Sequence, residues 1–345
     1  MTRKLISIAK YLLLLAIAVL LLVFAFKGVD VKNIISEIAE TKIFWLLMSV
    51  VASLVAFVSR AHRWNMLIEP LNYHPKLKNT TYSLMVGYLA NLAFPRLGEV
   101  TRCGSLSKAE RIPFDALLGT VIAERVLDVI VLLLLILLTA VIELNRLGNF
   151  LLENIWNPIL EKSNTYLHSP LIVSAVIVGL VILVVVFFMV RRKTKQQGHE
   201  SKVFKLINGI ISGLRTVGQL KRPWAFLFHT VLIWFMYYLM AYLCFFALSA
   251  TENLTYSAAL FVLVVGGLGM SAPVQGGIGA YHLLVSQGLM LYGLTKQHGV
   301  TFATLMHGSQ VIVILLFGGI SMFLLFLGNK NMIDDNAGKN KTEAV

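Results

Sequence analysis

Residues 91–102 read Asn-Leu-Ala-Phe-Pro-Arg-Leu-Gly-Glu-Val-Thr-Arg, and the apolar segment that follows carries Glu124-Arg125-Val-Leu-Asp128. Arg96, Glu99, Arg102, Glu124, Arg125 and Asp128 thus stand within or beside sequence apolar enough for a bilayer, where a central charge costs roughly 2.5–3.5 kcal/mol on insertion scales. Three are basic and three acidic, so a mutually paired cluster facing the protein interior is tolerable where one member alone is not. These six side chains are the first candidates for a binding site.

The chain around them is a membrane sequence. It has 345 residues, 57% of them hydrophobic and only 14% charged, with a mean hydropathy of +0.78, which places it outside the soluble classes. The first apolar run, 5–26, follows a short basic start but is long enough to cross and lacks a small-residue cleavage site, so it reads as a retained helix and not a signal peptide. The net charge of +13 sits mainly in loops and at the ends of apolar runs. It reads as orientation signal and contact with anionic headgroups, and nucleic acid is not an expected partner. Cys103 and Cys244 have no partner spacing and are expected to be free thiols. The eight histidines are scattered without metal-ligand spacing, so neither a metal nor another cofactor is expected.

The fold class is therefore all-α, a polytopic membrane helix bundle of about eight hydrophobic segments, two of them interrupted. An integral membrane domain covers 1–328, with a first half 1–190, a basic amphipathic cytoplasmic connection 191–222 and a second half 223–328; a polar tail, 329–345, is expected to be disordered. Helix two runs from about 43 to Arg60, and its ending Arg60-Ala-His-Arg63-Trp64 reads as an interfacial anchor. The next apolar run, 82–94, is 13 residues long, short of the ~20 that a crossing helix needs. If it crossed, the basic 191–222 loop would lie outside, against the positive-inside rule. A re-entrant half-helix turning at Pro95 removes the conflict, with Asn91 and Gly98 part of the turn. The following helix starts near Pro113 and ends near 143, an outer loop covers 148–169, and 171–190 is a β-branched-rich support helix. The second half repeats the device: two half-length segments, 256–270 and 280–294, flank Pro273-Val-Gln-Gly276-Gly277-Ile-Gly279. Interrupted segments in corresponding places of two halves point to a transporter binding site, and an inverted repeat is consistent with them. Both termini are then cytoplasmic.

Other motifs are weaker. The glycines of 276–279 lack the Lys and Ser/Thr of a phosphate loop; they suit a tight turn, and backbone N–H groups near Ile278 would suit an anionic headgroup. His282 follows that turn and His307 lies in the last helix with Gln310 at i, i+3. Each is either a hydrogen-bonded structural residue or half of a proton-linked pair. Glu99, Glu124 and Asp128 have arginines close in sequence that keep them ionised, and without a nucleophile–base set enzymatic activity is not expected.

Taken together, Asn91-x-x-x-Pro95-Arg96-x-Gly98-Glu99-x-x-Arg102, Glu124-Arg125-x-x-Asp128 and Pro273-x-x-Gly276-Gly277-Ile278-Gly279 resemble the flippase-like membrane domain of lysylphosphatidylglycerol synthases and related stand-alone proteins. The resemblance covers roughly 5–327 and implies a multi-pass protein of the bacterial inner membrane that moves or handles a phospholipid or polyprenyl-linked lipid. Two departures stand out. Many members carry an acidic residue after the glycine turn and an arginine in the last helix, where this chain has His282 and His307. Only a short tail follows 327, so the soluble aminoacyl-transfer domain is missing and synthesis of that lipid is not expected. Membrane lipid, anionic phospholipid above all, is the expected partner, with Arg96, Arg102 and Arg125 meeting the phosphate and the three carboxylates holding those arginines. The other reading is a non-catalytic scaffold or regulator of a separate soluble or membrane lipid-modifying enzyme. The sequence sets no oligomeric state.

Overall fold

The computed structural model describes residues 2–144, 146 and 220–342. The expected outer loop at 148–169, the support helix at 171–190 and the basic connection up to 219 lie outside the described residues. Ten α-helices and no strand occur among those described: α1 (Thr2–Phe26), α2 (Val31–Ala39), α3 (Ile43–Ile68), α4 (Leu77–Ala93), α5 (Leu97–Glu110), α6 (Phe114–Ile142), α7 (Pro223–Phe245), α8 (Tyr256–Ser271), α9 (Ala280–Met290) and α10 (Lys296–Thr342). This is the all-α bundle that the hydropathy pattern predicts. Four helices, α3, α6, α7 and the Lys296–Gly328 part of α10, are long and apolar enough to cross a membrane; α1 and α2, bent by 82° at their junction, form a fifth candidate. α10 runs past the apolar stretch to Thr342, so the backbone of 329–342 continues the helix. A formed helix gains one hydrogen bond for each residue added, which lets a stable stem carry a poor sequence.

The frame is the pair α3 and α7. Lys42 N–H donates to the Ala247 carbonyl (2.9 Å), Ser49 Oγ to the Met240 carbonyl (2.9 Å), and Ser59 Oγ bonds His229 Nδ1 (2.8 Å). These rungs make the two helices antiparallel along their length, and buried Ser49, Ala52, Ser53 and Ala56 let them approach closely. Lys42 pairs with Glu252 at one end and Arg222 with Glu69 at the other. Outward faces stay apolar: Leu133, Leu134, Leu137 and Val141 of α6 are exposed, as are Leu316 and Phe323 of α10, as befits helices solvated by lipid.

The two interrupted segments fold as helical hairpins. In the first, α4 runs in, the chain turns at Pro95, and α5 runs back beside it. Asn91 Oδ1 accepts the Gly98 N–H at 2.7 Å, and Gly87 lies against Gly98 and Arg102, so residues equidistant from the turn face each other. A β-carbon on Gly98 would stand 2.2 Å from the Gly87 carbonyl oxygen, which explains glycine there. In the second, α8 and α9 are antiparallel through Gly269 on Tyr281 and Phe261 on Gly288. A short 3₁₀ turn, Gln275–Gly277, forms its tip, and Gly279, at φ 81°, seats that tip on the α1 backbone at Ala18 and Leu22.

The hairpins enter from opposite ends of the bundle. The base of the first, at Lys76 and Glu110, lies by Leu324 and Gly328 of α10, whereas the base of the second, at Leu254 and Tyr292, lies by Thr295 and His298 at the start of α10. Their tips meet between: Gly276 stands against Leu92. Each hairpin thus reaches only part-way, which accounts for two runs too short to cross.

Candidate functional site

The first hairpin brings Arg102 to the wall formed by α3 and α6. Glu124 is wholly buried and receives three guanidiniums: Arg60 Nε at 2.8 Å, Arg102 Nη2 at 2.8 Å and Arg63 Nη2 at 3.4 Å. One turn on, Asp128 receives Arg60 Nη2 at 2.5 Å and Arg63 Nη2 at 2.6 Å. Arg63 Nη2 therefore bridges the two carboxylates. Glu124 and Asp128 share a face of α6 because they are four residues apart, and Arg60 and Arg63 share a face of α3 because they are three apart. Two such pairs on facing helices interlock.

This corrects two expectations. The sequence reading of Arg60-Ala-His-Arg63-Trp64 as an interfacial anchor fails because α3 continues to Ile68, which carries Arg60, Arg63 and Trp64 inside; none is more than 7% exposed. Arg96 stands apart from the pairing: it is exposed at the tip of the first hairpin with φ 62°, and no carboxylate lies within ion-pair distance of it among the described residues. Arg125 is intermediate. Its side chain is 41% exposed and meets Glu99 at 3.5 Å and Asp128 at 3.9 Å, so it forms an outer edge of the cluster and not its centre. Four arginines (60, 63, 102 and 125) now face three carboxylates (Glu99, Glu124 and Asp128). The expected neutral cluster carries one net positive charge instead.

Its donors are not used up. Arg63 Nε and Nη1 and Arg102 Nε and Nη1 are buried with no hydrogen-bond acceptor among the described residues. Aromatic faces steady both cations, Trp64 under Arg102 at 4.7 Å and Phe226 beside Arg63 at 5.8 Å. Trp64 Nε1 in turn donates to Thr120 Oγ1 at 2.9 Å, which fixes that ring. Tyr237 Oη lies 3.4 Å from Arg60 Nη1, and the Tyr88 hydroxyl is buried with no hydrogen-bond partner among the described residues. Two carboxylate oxygens, Glu99 Oε2 and Glu124 Oε2, are likewise buried with no donor in hydrogen-bonding geometry among the described residues, but with one cation in excess and four such guanidinium N–H groups on Arg63 and Arg102 the cluster can hold an anion with several oxygen atoms.

The turn residues Asn91, Pro95 and Gly98 form the first tip, and Gly276, Gly277 and Gly279 the second, with Pro273 leading into it. His282 and His307 come together from α9 and α10 with ring centroids 5.1 Å apart, and His307 Nε2 bonds the Gly276 carbonyl at 2.9 Å. Cys103 and Cys244 are buried and free. Among the described residues no group of three or more His, Cys, Asp or Glu could hold a metal ion.

Residues 11–318 match the family described as the lysylphosphatidylglycerol synthase TM region. A UPF0104 membrane protein, MJ1595 of Methanocaldococcus jannaschii, is 30% identical over 120 residues, a stretch covering 34% of this chain and 35% of that relative. The match thus spans about a third of the curated relative's length. No solved structure matches the chain.

Proposed function

The chain belongs to the family of the lysylphosphatidylglycerol synthase transmembrane region, and from that premise we propose that it binds the phosphate of a membrane lipid at the buried arginine cluster and passes the lipid between leaflets. The observation that carries this reading is the set of buried guanidinium N–H groups on Arg63 and Arg102 that meet no acceptor among the described residues, in a cluster of net positive charge. Buried polar groups are as a rule satisfied, and orphaned arginine forks match a phosphate's several acceptors. Arg125 and Glu99, the exposed edge, mark the side from which a headgroup approaches. The phosphate takes over part of the work of Glu124 on Arg102; because Arg102 belongs to a hairpin that does not span the bundle, that exchange loosens the hairpin from α6. Glu99, Glu124 and Asp128 hold the arginines while the site is empty. The bacterial inner membrane, with a cytoplasmic N-terminus, is the setting.

Thermal unfolding of the purified protein in neutral detergent, with and without added anionic phospholipid, tests the reading. A ligand that binds the native state raises its stability. Wild type should gain, and Arg102→Lys, which keeps the charge but loses the bidentate fork, should gain much less. Equal gains in both proteins would remove phosphate recognition by this arginine and favour the scaffold reading.

A further inference from the structure

The base of the first hairpin holds a second group of cations. Glu110 there stands eight residues along α5 from Arg102, roughly 12 Å of helix. A cavity of about 340 Å3 opens between the start of α4, the end of α5 and α10, with Lys76, Lys78 and Arg111 on its polar side and Leu324 and Leu325 of α10 on its apolar side. Glu110 also lines it, so three cations face one carboxylate. That carboxylate closes the hairpin base: its Oε1 accepts the Lys76 backbone N–H at 3.0 Å and Asn79 Nδ2 at 2.7 Å. No carboxylate lies within ion-pair distance of Lys76, Lys78 or Arg111 among the described residues. Arg111, moreover, ends α5 at φ 56°, a left-handed position that helices usually give to glycine.

The two sides of the cavity select an occupant with charge at one end and hydrocarbon at the other. Leu324 comes four residues before Gly328, where the apolar stretch of α10 ends, so the cations stand where that helix leaves the hydrocarbon. Phe317, Ile320 and Leu324 are all exposed, and their helical spacing carries an apolar strip from the cavity along α10. A free phosphate would meet the cations and leave the strip bare. An anionic phospholipid covers both, and basic pockets between transmembrane helices suit such headgroups. We propose that this cavity binds the phosphate of an anionic phospholipid, with an acyl chain on Phe317, Ile320 and Leu324, as a site separate from the buried arginine cluster. The bound lipid ties the base of the hairpin to α10. The site stands whether or not the cluster itself binds lipid.

A fluorophore on Ile320→Cys reports on the strip, since that residue is 55% exposed and Cys103 and Cys244 are buried. The labelled full chain is placed in liposomes of phosphatidylcholine with a minority of phosphatidylglycerol. Bromine is carried on the acyl chains of one lipid or of the other, so quenching gives each lipid's share of the contacts at constant composition. Phosphatidylglycerol should exceed its bulk share at the label by about fivefold, the preference that one basic contact brings. Lys78→Gln combined with Arg111→Gln, both at exposed positions, should return it to the bulk share without lowering the melting temperature in neutral detergent, and Arg102→Lys should leave the excess intact. A bulk share without these substitutions, an excess that survives the double substitution, or one that Arg102→Lys abolishes overturns the site. Displacement of the lipid by inorganic phosphate, but not by chloride at equal ionic strength, would overturn it in favour of a free anion.

Discussion

Arg63 reaches Glu124 and Asp128 with one nitrogen and has no exposed surface, so Arg63→Ala takes a cation from both carboxylates, leaves Asp128 to Arg60 and the distant Arg125, and empties a packed interior site. Its cost should be about 3–5 kcal/mol, the range for breaking a buried pair, read from unfolding in detergent. Arg125→Ala is the contrast, because its 41% exposed side chain makes only long contacts; about 1 kcal/mol or less is expected. Equal losses would mean that the centre of the cluster has been misassigned. At this scale the sequence was legible on one side only. Glu124 and Asp128 stand out because no anchor role explains acids in an apolar helix. Arg60 and Arg63 do not, because basic residues and a tryptophan after an apolar run look the same whether the helix stops or continues. The signal available was the matching spacing, i, i+3 against i, i+4, together with the need of two acids for partners.

The hairpins are the elements on which the site depends, and their geometry makes sharp demands. Gly98→Ala puts a methyl group 2.2 Å from the Gly87 carbonyl oxygen; the backbones must part, and Arg102 moves with α5. Loss of lipid-dependent stabilisation should accompany a fall in melting temperature, whereas Gly104→Ala, with no described atom within 4 Å of the added carbon, should lower neither. The tip contact has its own check. Paired Leu92→Cys and Gly276→Cys should cross-link under mild oxidation, since a β-carbon at 276 lies 3.8 Å from the Leu92 α-carbon and disulfides need close α-carbons; the native cysteines are buried. Recovery of only uncross-linked protein would contradict the meeting of the tips. That these runs turn back was readable from length, proline and charge bias. Where the tips touch was not, because a contact between Leu92 and Gly276 leaves no mark in spacing or composition.

For the whole molecule, entry of the hairpins from opposite ends makes a topology prediction: cysteines placed at Lys108 and at Asn253 should be labelled from opposite sides of the membrane, Lys108 from the cytoplasm. The arrangement leaves the arginine cluster beside a junction that neither hairpin closes alone, and movement of a lipid phosphate past that junction is the central claim. Leaflet exchange of a fluorescent anionic phospholipid in liposomes containing the purified protein tests it most directly. Wild type should exchange lipid faster than protein-free liposomes, and Arg102→Lys, folded and inserted to the same extent, should be slower than wild type by about tenfold, the equivalent of roughly 1.4 kcal/mol of lost recognition. Exchange no faster than in protein-free liposomes, or equal exchange by wild type and Arg102→Lys, would contradict it.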